Sequence, residues 1–162
     1  MRSRLAPALA LLLASACTCD DGGHGKPVPP RTTGQDPAYR HATIRKTCGP
    51  TGSESLLLVL ASSGQGCAPV SAERVTISIS RSEIAAPANL ELSGFGSAGT
   101  GRLCPQGGSP CSLAKTGKLV LERYEEGSKA SGSFELELPA RGAVRGRYDA
   151  TWCPAEGCTG GG

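Results

Sequence analysis

Residues 118–152 read KLVLERYEEGSKASGSFELELPARGAVRGRYDATW, and the alternation in this stretch decides the fold. Three strands are predicted, over 118–124, 129–138 and 144–152, with links at 125–128 and 139–143. In the middle strand Ala130, Gly132, Phe134, Leu136 and Leu138 share one face. In the last strand Val144, Gly146, Tyr148, Ala150 and Trp152 share one face. A period of two places such a set against a core and leaves the charged residues between them in water. Pairing Phe134 with Tyr148 also pairs Leu138 with Val144, Glu135 with Arg147 and Glu137 with Arg145. Apolar and charge matching thus agree on one register. In the preceding hairpin, Leu119 opposite Phe134 and Leu121 opposite Gly132 continue the same inner face.

The chain upstream reads in the same way. Strands are expected over 42–46, 55–61, 74–80, 88–95 and 101–104, separated by Gly, Pro and Ser. The run Leu56-Leu57-Leu58-Val59-Leu60 suggests a strand buried on both faces. Val75, Ile77 and Ile79 alternate with Thr76, Ser78 and Ser80. The best helical turn, 82–86, stops before Pro87, and no segment carries a sustained helical stripe. About seven or eight short strands imply an all-β domain, either an antiparallel sandwich or a small β-barrel. The glycine-rich final meander ending in Tyr148-Asp149-Ala150-Thr151-Trp152-Cys153 resembles that of uncharacterised exported bacterial lipoproteins over residues 111–153. That resemblance carries no known activity.

Arg2 and Arg4 precede an apolar run over 5–13, and Ala14-Ser15-Ala16 then precedes Cys17. Basic, apolar and small residues in that order form a secretory signal over 1–16. Its apolar part is too short to span a bilayer, which takes about 20 residues. Ala14-Ser15-Ala16 suits cleavage with free release. The same residues, with Cys17, resemble the lipobox of bacterial lipoproteins, apart from Ala14 where leucine is usual. The resemblance implies that Cys17 becomes a lipidated N-terminus, its acyl chains (palmitate among them) holding the protein to a membrane. One chain holds only marginally, and two or three hold firmly. Cysteine parity favours release: the chain has eight cysteines, and acylating Cys17 leaves an odd set, with Cys19 the orphan.

Residues 17–38 read as a flexible tether rich in Pro and Gly, which lack the apolar period a fold needs. A single β domain follows over 39–158, with a flexible tail at 159–162. The full chain has 17 basic and 14 acidic side chains. Without Arg2 and Arg4 the mature chain is nearly neutral, which gives no electrostatic case for nucleic acid. Leu, Ile, Val and Phe supply only about a fifth of the domain, so its core is thin and covalent staples are expected.

Those staples are Cys48, Cys67, Cys104, Cys111, Cys153 and Cys158, which oxidise outside the cytoplasm. Six cysteines allow 15 connectivities. Proximity in sequence suggests 48–67, 104–111 and 153–158. The alternative, zinc held by the two late pairs, fits poorly: the gaps are six and four residues against a usual two to four, and the compartment oxidises thiols. Cys17, Cys19, Asp20, Asp21 and His24 gather in the tether, where ordering a metal site would cost binding energy. No metal and no cofactor are expected.

Catalytic motifs fail on context. Gly94-Phe95-Gly96-Ser97-Ala98-Gly99 matches a dinucleotide fingerprint but is followed by no helical pattern. Ser112-Leu113-Ala114-Lys115 and Lys115-Thr116-Gly117 match two motifs of penicillin-recognising enzymes, yet share one lysine. Glu135 and Glu137 share a strand face, where arginine neighbours suit ion pairs better than general acid chemistry. His24 and His41 have no nucleophile beside them in sequence. Trp152 falls on the inner face, where core packing outweighs sugar stacking. The sequence thus points to a non-enzymatic, membrane-tethered β module that binds another envelope component or protein. Its loops at 93–101 and 105–110 are the expected contacts. The alternative is an inhibitor of an envelope hydrolase, or a small-ligand binder.

Overall fold

The computed structural model describes residues 39–48, 53–80, 84–93, 97–107 and 109–155. The signal, the tether with Cys17, Cys19 and His24, Cys158 and the tail lie outside these residues. Among the described residues nine strands form one sheet: β1 (His41–Cys48), β2 (Glu54–Ala61), β3 (Arg74–Ser80), β4 (Ala88–Ser93), β5 (Gly99–Cys104), β6 (Ser112–Leu113), β7 (Thr116–Glu125), β8 (Lys129–Leu138) and β9 (Gly142–Trp152). The spatial order is β3-β2-β1-β9-β8-β7-β4-β5-β6, and β3 also pairs with β5. That pairing closes an eight-stranded barrel, with β6 as an extra edge segment on β5. Closure removes the exposed edges that would otherwise template aggregation. Of the expected helical turn, Ile84, Ala85 and Ala86 are described and are not helical.

The pairing is antiparallel except at two seams. β1 runs parallel to β9 through Thr43–Thr151 and Ile44–Trp152. β4 meets β5 in parallel at Leu92–Gly99. β6 completes this second seam, with Arg102 opposite Leu113 and Leu103 opposite Ser112. Ala114 donates its N–H to Gly101 O at 2.9 Å, and Lys115 donates to Glu137 O at 2.8 Å.

Alternation puts the apolar set inside. Ile44, Leu56, Leu58, Leu60, Val75, Ile77 and Ile79 are buried, as are Leu119, Leu121, Phe134, Leu136, Leu138 and Val144. The interior is filled. A methyl group on Gly101 or on Gly117 would sit 2.5 Å from Leu136 Cδ2. Tyr39, ahead of β1, sets its ring edge-on to Phe134 at 5.9 Å. The expectation that β2 is buried on both faces is corrected. Leu57 and Val59 point outward and are only half-buried, because every strand of a barrel has an outer face.

The β7–β8 register is the expected one, with Leu119 opposite Phe134 and Leu121 opposite Gly132. Beyond it Glu122 is an extra residue on β7, a β-bulge. The β8–β9 register is corrected by two residues. Phe134 faces Gly146, Gly132 faces Tyr148, Leu136 faces Val144 and Glu135 faces Arg145, while Glu137 faces Ala143. Leu138 pairs with Gly142, which takes φ 72°. A three-residue loop closed by a left-handed glycine fixes this tighter turn. The expected register also stacks two rings opposite each other on a narrow inner wall, whereas the observed one sets each ring against a glycine.

Tyr148 reaches across Gly132 and donates its hydroxyl to Val120 O at 3.0 Å. Tyr148→Phe is expected to cost about 1 kcal/mol, the usual worth of such a bond, as read from urea denaturation. Burial first, and the Glu122 carboxylate second, push the Tyr148 phenol well above the ordinary tyrosine range. The unfolded chain ionises this phenol near pH 10 while the folded barrel keeps it neutral. Its contribution is therefore complete below about pH 10 and is lost as pH rises beyond that. Urea midpoints should fall above about pH 10, and less steeply in Tyr148→Phe.

Candidate interaction surface

Cys104 ends β5, and its disulfide to Cys111 spans a sequence separation of 7. Cys104 is buried and Cys111 exposed, so the bond ties a projecting loop to the barrel wall. Gln106, Gly107, Ser109 and Pro110 are exposed on this loop, and Gly107 takes φ 88°. A disulfide and a glycine turn restrict the loop before any partner arrives, which lowers the ordering cost of binding.

β6 follows at once, and Leu113 is 40% exposed, the large apolar side chain that stands out among the described residues. Arg102, also exposed, is its cross-strand neighbour on β5. An apolar anchor beside an arginine matches the composition of residues that dominate protein interfaces. Leu113→Ser should cost no more than about 1 kcal/mol, because the side chain is exposed and lies outside the buried core. Thermal denaturation of the variant checks this.

Between β4 and β5, Ser97 bonds to the ends of both strands. Ser97 Oγ accepts the Ser93 N–H at 3.0 Å and donates to Gly99 O at 2.6 Å. Gly94, Phe95 and Gly96 of the dinucleotide-like motif lie outside the described residues, and β5, not a helix, begins at Gly99. Ser112 and Lys115 of the S-x-x-K match lie on β6 and on the link to β7.

Around the barrel, the outer faces of β4, β7, β8 and β9 carry a row of alternating charge. Glu91, Lys118, Glu135 and Arg145 are in register across the four strands. Glu91, Thr116, Gly117, Lys118, Glu135 and Glu137 line a shallow groove of about 440 Å³. Lys118 Nζ lies 3.6 Å from Glu91 Oε1. Arg147 does not face Glu135; it makes a fork to Glu122 Oε1 and Oε2 at 2.9 and 2.8 Å. Exposed pairs of this kind contribute under about 1 kcal/mol each. Trp152 is half-buried at the end of β9, tilted against Tyr124 at 6.4 Å. His41 packs against Gly64, and its buried Nε2 has no hydrogen-bond partner among the described residues.

The remaining cysteines correct the expected pairing. Cys67 is bonded to Cys153 across a separation of 86. That excludes both 48–67 and 153–158, and Cys48 is itself disulfide-bonded. The barrel topology, not proximity along the chain, brings Cys67 to the end of β9. The disulfides point to an oxidising compartment outside the cytoplasm. Among the described residues, no helix is long and apolar enough to cross a membrane, and no group of three or more His, Cys, Asp or Glu side chains could hold a metal ion. No protein-family model, curated protein or solved structure matches this chain.

Proposed function

We propose that this chain is a non-enzymatic envelope lipoprotein. Lipid on Cys17 holds it to a membrane, residues 17–38 join that anchor to the barrel, and the barrel contacts another envelope protein. The contact is the disulfide-closed loop between Cys104 and Cys111, with Leu113 and Arg102 at its base. The observation that carries this reading is the exposure of Leu113 beside a loop already fixed by a covalent bond. The barrel interior is filled by its own side chains, so recognition falls to the outside.

A photo-crosslinking residue at Ser109, in the full chain on membranes, tests the reading. The expected result is one discrete adduct, lost in Arg102→Glu and in Leu113→Asp. A chain that forms no adduct but hydrolyses an envelope substrate contradicts it.

The restricted loop with its polar tip also favours a second reading, an inhibitor whose loop enters the cleft of an envelope hydrolase. In that case inhibition disappears in the Cys104→Ser/Cys111→Ser variant although the barrel stays folded.

A further inference from the structure

Residues 62–73, between β2 and β3, do not simply turn the corner. Gly64 lies against the His41 ring, close enough that a methyl group there would sit 2.4 Å from Cδ2. Three residues on, Cys67 is bonded to Cys153. Cys153 in turn donates its N–H to Ile44 O at 2.8 Å. The segment therefore crosses the outside of β1 between His41 and Ile44. Thr43 and Ala61 confirm the crossing: both alternate with inward residues, so both face outward, yet they are only 8% and 0% exposed. Beyond Cys67 the segment is pinned by Arg74 Nη1, which donates to Val70 O at 3.0 Å, and by an ion pair from Glu73 to Arg141.

The strap lies over one of the two short parallel joins in the wall. β1 and β9 share only the Thr43–Thr151 and Ile44–Trp152 pairs, whereas β8 and β9 pair along nearly their whole length. We infer that Cys67–Cys153 is a redox-operated latch on this parallel seam. When the bond is reduced, the strap lifts from β1 and the barrel opens between β1 and β9, uncovering two strand edges.

The chemistry needs a dithiol reductant. Cys67 is exposed and Cys153 buried, so a thiolate of the reductant attacks the Cys67 sulfur. The S–S bond breaks, and Cys153 leaves as a thiolate that takes up a proton. The reductant's second thiol then attacks the mixed disulfide and frees Cys67. Two electrons and two protons pass to the protein, and the reductant becomes a disulfide. Cys104–Cys111 closes a loop between neighbouring strand ends, so its reduction frees a hairpin tip and leaves the wall closed.

Hydrogen exchange read by mass spectrometry on the full chain tests this. Cys67→Ser/Cys153→Ser isolates the bond, and Cys104→Ser/Cys111→Ser is the control. Loss of the latch should speed exchange in residues 41–46, 62–70 and 148–153 by at least about tenfold relative to β7 and β8, the mark of a local opening. The control should show its local effect in residues 105–113 and no preferential loss at the seam relative to β7 and β8. Wild-type protein in dithiothreitol should lose the Cys67–Cys153 bond while β7 and β8 keep their protection. Unchanged exchange at the seam overturns the proposal. So does an equal loss across β7 and β8, failure of the double variant to fold, or resistance of the bond to dithiothreitol in the folded protein.

Discussion

Gly132→Ala is expected to cost about 3 kcal/mol or more, at the upper end for overpacking a core. The added methyl carbon would lie 1.9 Å from Val120 O and 2.9 Å from Val120 C. Both are backbone atoms of the neighbouring strand, so no side-chain rotation relieves the clash. The same methyl would lie 3.0 Å from the Tyr148 hydroxyl, in the path that Tyr148 takes to Val120 O. The two strands must part, and the hydrogen bond inside the barrel is lost with them. Small domains are stable by only about 5–15 kcal/mol, so the variant should show a much lower urea midpoint. Gly146→Ala is the contrast. Its methyl would meet Phe134 Cε1 at 3.1 Å, at the edge of a ring that can shift, so the loss there should be smaller. Equal stability of Gly132→Ala and wild type would show that Tyr148 does not pass over Gly132.

Removing the Cys67–Cys153 bond is the second large effect. The bond spans a sequence separation of 86, and loop-closure entropy assigns about 4.5 kcal/mol to a ring of that size. Cys104–Cys111, with a separation of 7, is assigned about 2.5 kcal/mol. Cys67→Ser/Cys153→Ser should therefore lower unfolding free energy by nearly twice as much as Cys104→Ser/Cys111→Ser, in urea titrations of both. The reverse order would mean that the strap is loose in the folded protein.

Much of the architecture is legible in the residues. Alternation in β3, β7, β8 and β9 marks the inner face, and the structure places Val75, Ile77, Ile79, Phe134, Leu136 and Tyr148 there. Facing survives even where the register does not, because the β8–β9 slip is of two residues and a period of two is blind to it. The slip was set by the tight turn at Pro139, Ala140 and Arg141 and by the curvature that opposes rings to glycines. Neither property shows in apolar or charge matching of two flat strands. The parallel β1–β9 seam is hidden for another reason: it joins the two ends of the domain, and no local pattern encodes it. Cys67–Cys153 depends on that seam, so proximity along the chain does not indicate it. Proximity does indicate 104–111, where the two ends are already neighbours. Leu113 falls inside a motif match, and its place next to a disulfide-closed loop is the available sign in the sequence of an exposed anchor.

The sharpest check on an exported, stapled and tethered barrel is the intact mass of the full-length product, recovered from cell membranes without reductant. The expected mass is that of a chain that starts at Cys17, carries acyl groups, and lacks two hydrogens for each disulfide. A soluble chain beginning at Met1, with no lipid and every cysteine as a free thiol, would contradict it.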